Sequence, residues 1–156
     1  MPTPEQTAAI VDALTAAYNG ELETVANYIA NSENLDGVRA KHIKTALAAD
    51  IAEELSHAQV LAKRIKTVGG RVPGSQALRM TQSALQPPAD STDVVAVIKG
   101  VIEAEETAIA GYRRLIEVSG DGVDPVTEDL AITLMGDEEE HRREFIGFLK
   151  EYEAGG

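Results

Sequence analysis

Apolar residues recur at spacings of three and four along most of this chain. No segment alternates with the period of two that a half-buried strand needs. Caps and breakers divide the pattern into four long helices. Thr3-Pro4-Glu5-Gln6 reads as a helix start, with Thr3 as N-cap, Pro4 in the first helical position and Gln6 closing a capping box. That helix is predicted to run to about Asn31, where Asn31-Ser32-Glu33-Asn34 interrupts it. A second is predicted from Leu35 or Val38 to Gly69-Gly70. Residues 70 to 90 contain Pro73, Gly74, Pro87 and Pro88 and read as a long connection, with a short helix between Ser75 and Gln86. A third helix starts near Asp90 or Ser91 and stops at Gly120-Asp121-Gly122. Asp124-Pro125 then caps a fourth, which reaches Glu153 before Gly155-Gly156.

Loop lengths turn this list into a topology. A helix of about 28 residues is roughly 42 Å long. The short links make helices one and two, and helices three and four, antiparallel neighbours. The middle connection, of about 20 residues, reaches up to roughly 65 Å. It can travel the whole bundle and set helices two and three parallel. The expected fold is all-α, a four-helix bundle with one long crossover between helices two and three, in a single domain over residues 1–156.

The stripes that should face the core carry an anomaly. Helix one presents Ile10, Leu14, Ala17, Glu21, Val25 beside Thr24, and Tyr28. Helix two presents Ile43, Leu47, Ile51, Glu54, His57 or Ala58, Leu61 and Ile65. Helix three gives Val95, Ile98, Ile102, Glu105, Ile109, Tyr112 and Ile116, and helix four Ala131, Leu134, Glu138, His141, Phe145, Phe148 and Tyr152. Each stripe thus has one glutamate near its middle. A buried, unpaired carboxylate costs several kcal/mol even after relaxation, and no Lys or Arg occupies these stripes to offset four of them. Two divalent cations against four glutamates and two neutral histidines would close the site to neutrality. Gly20, Ala52, Ala104 and Gly136, just before the four carboxylates, suggest close helix approach or room near a site.

The spacing points the same way. Glu54-Leu55-Ser56-His57 and Glu138-Glu139-Glu140-His141 are both Glu-x-x-His, which puts two ligands on one helical face. An offset of 84 relates Glu21 to Glu105, Tyr28 to Tyr112, Glu54 to Glu138 and His57 to His141. The acidic residues Glu53 and Asp137 repeat at the same offset and are placed to orient the imidazoles. One Glu-x-x-His is weak evidence; the duplicated set, in a chain with only four tyrosines, is strong. His42 has no such partner and is expected on a wet face.

Composition trims the alternatives. The formal net charge is −12, with no cysteine among 156 residues. A surface this acidic repels phosphate backbones and anionic lipid, so neither nucleic acid nor membrane is an expected partner. Residues 1 to 38 contain no Lys or Arg at all. Thiolate zinc sites, iron–sulfur clusters and cysteine nucleophiles are excluded. No signal peptide is recognisable at Met1-Pro2-Thr3, and the expected location is cytoplasmic.

With those residues in place, the chain resembles the ferritin-like di-iron carboxylate superfamily, and its site pattern is similar to that of bacterioferritins and the Dps-like group. The resemblance covers about residues 4 to 153. It implies Glu21 and Glu105 as terminal carboxylates, Glu54 and Glu138 as bridges between two metals, and His57 and His141 as one nitrogen ligand each. Tyr28 and Tyr112 match the near-site tyrosines that hydrogen-bond to ligands or pass electrons, and are the implied catalytic pair. The implied activity is ferroxidase: Fe²⁺ is oxidised by dioxygen or hydrogen peroxide, with two iron ions per chain, manganese being the other metal the ligands suit. A peroxidase or manganese-catalase-like enzyme on the same site is the alternative, followed by a metal-free acidic interaction module. Haem is not expected, because Leu55 stands where bacterioferritins place a haem-binding methionine, and Met1, Met80 and Met135 do not replace it. Only 15 residues follow His141, so the fifth helix of 24-subunit ferritins is not expected. The expectation is a homo-oligomer, a dimer at least, with a 12-subunit shell next and a 24-subunit shell last.

Overall fold

A computed structural model describes residues 1–155, and among them the only long elements are four α-helices. Helix α1 (Pro4–Asn34) starts as the sequence reads: Thr3 Oγ1 accepts from Gln6 N–H at 3.1 Å and Gln6 Oε1 accepts from Thr3 N–H at 2.7 Å. It does not break at Asn31. Asn31 and Ser32 turn their side chains back onto the helix carbonyls of Asn27 and Ile29, so the polar run extends the helix by three residues. Helix α2 (Lys41–Thr67) begins later than expected, because Leu35 is extended and Gly37 takes φ +101°, which only glycine adopts freely. Helix α3 (Val94–Ser119) is capped by Asp93, while Asp90, the expected start, closes a separate turn on Thr92. Helix α4 (Pro125–Ala154) is capped by Asp124 and ends at Gly155; Gly156, the second glycine of the expected stop, lies outside the described residues.

The crossover, residues 68 to 93, differs most from expectation. Of the short helix expected between Ser75 and Gln86 only one 3-10 turn forms, Ser75–Ala77, and the residues after it follow α1 without regular structure. A row of polar residues four apart on α1 takes over the backbone groups that a helix would have paired. Asn19 Nδ2 donates to Arg79 O and Arg79 N–H donates to Asn19 Oδ1, at 2.7 and 2.6 Å. Gln82 N–H donates to Glu23 Oε2 at 2.5 Å, Asn27 Nδ2 to Gln82 Oε1 at 2.7 Å and Asn31 Nδ2 to Leu85 O at 2.8 Å. A long-range ladder thereby replaces local helix pairing.

Packing of the crossover also widens the buried face of α3. Val94, Val97, Val101 and Leu115 are buried, whereas the predicted stripe members Val95, Ile102 and Ile116 are half-buried. The helices enclose two apolar clusters, one including Ile43, Leu47, Ile98 and Phe145, the other Ile10, Leu14, Leu61 and Leu134. The glutamate layer belongs to neither cluster. Each end of the bundle is tied separately. Arg64 donates to Asp124 Oδ1 and to Thr127 Oγ1, both at 2.8 Å, while Arg39 donates to Tyr152 O at 2.9 Å and lies 4.7 Å over its ring.

Of the two readings of Gly20 and Gly136, close helix approach or room near a site, the structure bears out room: a Cβ at either would meet no atom within 4 Å. The tight approach is at Gly100, where a Cβ would lie 2.6 Å from Ala84 O of the crossover. Gly147, also in α4, has open space. Ala for Gly in a helix normally stabilises by about 1 kcal/mol. Gly147→Ala should therefore raise the melting temperature, and Gly100→Ala should lower it by about 1–3 kcal/mol of stability through overpacking against backbone. Thermal denaturation of both variants, compared with the parent, checks this sign reversal.

Candidate metal centre

Glu21, Glu54, Glu105 and Glu138 come from the middle of the four helices and converge between the two apolar clusters. None is more than 3% exposed. His57 and His141 join them, one turn along α2 and α4 from Glu54 and Glu138. The ligand-type atoms fall into two groups, each with all members within 4.8 Å of one another: Glu21, Glu54, His57, Glu138, and Glu54, Glu105, Glu138, His141. Glu54 and Glu138 belong to both. All six residues picked from the stripes are thus brought together, with the two expected bridging residues at the shared positions.

Both imidazoles turn Nδ1 inward. His57 Nδ1 lies 2.8 Å from Glu138 Oε1, 3.7 Å from Glu54 and 3.8 Å from Glu21. His141 Nδ1 lies 2.9 Å from Glu54 Oε1, 3.6 Å from Glu138 and 3.9 Å from Glu105. The outer nitrogens are held from the opposite helix: His57 Nε2 by Asp137 at 3.0 Å and His141 Nε2 by Glu53 at 2.8 Å. Such partners set ring orientation and leave the inner nitrogen as the donor to a metal. The tyrosines cross as well. Tyr28 O–H donates to Glu105 and Tyr112 O–H to Glu21, each at 2.5 Å, occupying one oxygen of each of these two glutamates.

What remains free is informative. Glu21 Oε2, Glu105 Oε2 and Glu138 Oε2 are buried without a hydrogen-bond partner, and Glu54 Oε1 and His141 Nδ1, though 2.9 Å apart, are not aligned for a hydrogen bond. Buried polar atoms are almost always paired, and five of the eight that lack a partner among the described residues belong to the six clustered residues. The donor set, oxygen-rich with one nitrogen per group, fits iron or manganese.

Protonation follows from the same crowding. Burial pushes Glu21 and Glu105 well above the ordinary carboxylate range, reinforced by Glu54 and Glu138 respectively. Burial also pushes Glu138 upward, but its close contacts with Glu105, His141 and His57 outweigh that and hold it below the usual range. Burial alone would depress both imidazoles. Contacts with Glu138 and the neighbouring carboxylates reverse this, raising His57 far above its ordinary value and His141 to about 12. Burial raises the two tyrosines too, so both remain donors at neutral pH. With protons on Glu21, Glu105, His57 and His141, four glutamates and two histidines carry no net charge. Two divalent cations would leave the same neutrality once those protons depart.

Residues 11–154 match the ferritin family, described as a ferritin-like domain. The chain belongs to the ferritin-like family. It is 26% identical over 144 residues to a DNA protection during starvation protein from Pyrococcus furiosus, covering 90% of this chain and 76% of that one. Its fold is similar to that of a ferritin-like di-iron-carboxylate protein from Bacillus anthracis (22% identity, TM-score 0.80, covering 94% of this chain and 99% of that one). It is also similar to a dodecameric thioferritin from Bacteroides fragilis (22%, TM-score 0.81, 95% and 88%) and to a bacterioferritin from Rhodobacter capsulatus (20%, TM-score 0.82, 100% and 91%).

Within this ferritin-like chain, some residues near the centre were not singled out by pattern. Asp50, one turn before Glu54, lies 3.8 Å from His141 Nε2, and burial raises its pKa to about 6. Glu23 is buried under the crossover, outside the centre, and its only sequence signal is its place in the Asn19–Asn31 row. His42 is on the exposed face expected for it. Among the described residues no helix is long and apolar enough to cross a membrane.

Because four protonated groups must give way, loading two divalent ions should release about four protons per chain near pH 7. All four have raised pKa values, so apparent affinity should climb as pH rises through the neutral range and fall in acid. Calorimetric titration with a redox-inert divalent ion in buffers of different ionisation enthalpy measures this release; a value near zero would refute the assignment of protons.

Proposed function

We propose that this chain is a ferroxidase of iron storage or detoxification, binding two Fe²⁺ as substrate at the centre described above. The observation that carries this reading is the pair of buried ligand-type groups sharing Glu54 and Glu138, with one oxygen of each glutamate unpartnered. Glu21 and Glu105 each serve one metal, Glu54 and Glu138 serve both, and His57 and His141 bind through Nδ1. Tyr28 and Tyr112 hold the terminal glutamates in place. Two Fe²⁺ give up two electrons; dioxygen accepts them with two protons and leaves as hydrogen peroxide, which can itself oxidise a further pair. Low-dielectric walls above and below the layer keep the carboxylates' field on the metals rather than in solvent. No haem is proposed. Leu55 stands 42% exposed on α2 and offers no ligand atom.

The Pyrococcus relative is a DNA protection protein. For this chain the net charge of −12 favours protection by removing Fe²⁺ and oxidant rather than by coating DNA. Anaerobic titration with Fe²⁺ should saturate near two equivalents per chain. Glu54→Ala should slow iron oxidation by ~100-fold, the upper end of the loss seen when even an outer-shell partner is removed. Oxidation at the parent rate, followed by ferric absorbance, would overturn the bridging role.

A homo-oligomer completes the proposal, since ferric product formed on an isolated subunit would be released to water. The Bacteroides neighbour is dodecameric. Light scattering should give a dimer of about 33 kDa or a larger closed shell, never the 16.6 kDa of one chain.

A further inference from the structure

The dinuclear layer is reached from one side by a cavity that the reading so far leaves unused. Between α1 and α3, beneath the crossover, a space of about 180 Å³ has Glu21 and Tyr112 on its wall. Its other walls are almost entirely small or apolar side chains, among them Ala16, Ala17, Ala108 and Gly111. It continues outward through Gly20, Ala104 and Gln82 into an open groove beside the crossover. The rim is fixed: Gln82 is fastened to α1 by bonds to Glu23, Asn27 and Thr24. At the inner end stands Glu21, whose unpartnered Oε2 lies 3.8 Å from His57 Nδ1, within the glutamate layer.

We propose that this cleft is the entry and resting site for dioxygen, a small apolar gas, on its way to the Glu21 side of the centre. The proposal rests on the ferroxidase reading and deepens it by separating the oxidant's route from the metal's. A hydrated cation crossing an apolar passage would have to shed water with few oxygens to replace it. The other side of the centre suits cations and hydrogen peroxide better: Glu53 and Asp137, with side chains 43% and 42% exposed, stand there against the imidazoles. Small residues on both helices leave the cleft open. A Cβ at Gly20 or at Gly111 would meet no atom within 4 Å, so a side chain can start from either wall of the cleft without a clash at its root.

The test uses Gly20→Leu and Gly111→Leu, one on each wall, in the assembled protein. Leucine is a good helix former, so neither change breaks its helix. Crystals of the parent under xenon pressure should show xenon in the cleft, as dry apolar cavities do, and both variants should lose it. Anaerobic Fe²⁺ stoichiometry should stay at the parent value. Oxidation by dioxygen should slow by roughly tenfold, a barrier of about 1.4 kcal/mol. Oxidation driven by added hydrogen peroxide without dioxygen should remain within about twofold of the parent. An empty cleft under xenon, an unchanged dioxygen rate, or an equal fall with both oxidants would overturn the route. Failure of the parent to bind Fe²⁺ at all would instead overturn the ferroxidase reading, whatever xenon shows.

Discussion

Four carboxylates in one layer of a helical core cannot all remain charged without cations beside them, and the structure is organised around that constraint. Desolvation penalises each charge by several kcal/mol, while the mutual repulsion of four would add to it. Two sets of cations satisfy it equally. Protons on Glu21, Glu105, His57 and His141 neutralise the layer in one state, and the two divalent ions of the proposed centre would neutralise it in the other. The same burial that makes the layer costly makes it selective for small, hard, positively charged occupants. Stability and metal affinity are therefore linked: whatever binds here relieves a strain that the fold alone leaves in place.

The neutral layer works because its two halves support each other. Tyr28 of α1 holds Glu105 of α3, and Tyr112 of α3 holds Glu21 of α1. Asp137 of α4 holds His57 of α2, and Glu53 of α2 holds His141 of α4. Every ligand so held is anchored by a residue from another helix, and each contact has its counterpart at the 84-residue offset. An approximate twofold relation thus supplies two equivalent half-sites from one internal repeat. It also locks all four helices to the centre rather than to nearest neighbours alone. The apolar clusters on either side then act as lids that keep water from screening the charges.

The crossover breaks this symmetry, since no second segment matches it on the α2–α4 side. It lies along α1 and α3, spends its backbone groups on Asn19, Glu23 and Asn31, and presses on Gly100. One flank of the centre consequently has a walled apolar cleft, and the other has half-exposed acids. A nearly symmetric metal layer acquires two chemically different approaches from an asymmetric connection.

Much of this was legible before any tertiary information. Helix count, caps at Thr3 and Asp124, crossover topology and all six clustered residues follow from local rules: 3.6-residue periodicity, capping chemistry, and polar residues standing where apolar ones belong. The repeat made the reading firm, because two coincident sets of Glu, Tyr and Glu-x-x-His do not arise from surface composition. What local pattern could not carry was anything set by long-range pairing. Asn31 and Ser32 look like a helix break, yet they extend α1 because Leu85 and the helix carbonyls accept their hydrogen bonds. Ser75–Gln86 has helical composition, but its backbone groups find partners 54 to 60 residues away. Gly20 and Gly100 are identical as letters; only the path of the crossover decides that one borders a cavity and the other a close contact. The amino-acid order determined which groups must be buried and neutralised together. The tertiary structure alone decided which helix holds which ligand and where the centre opens, because those depend on distances between segments that no local spacing encodes.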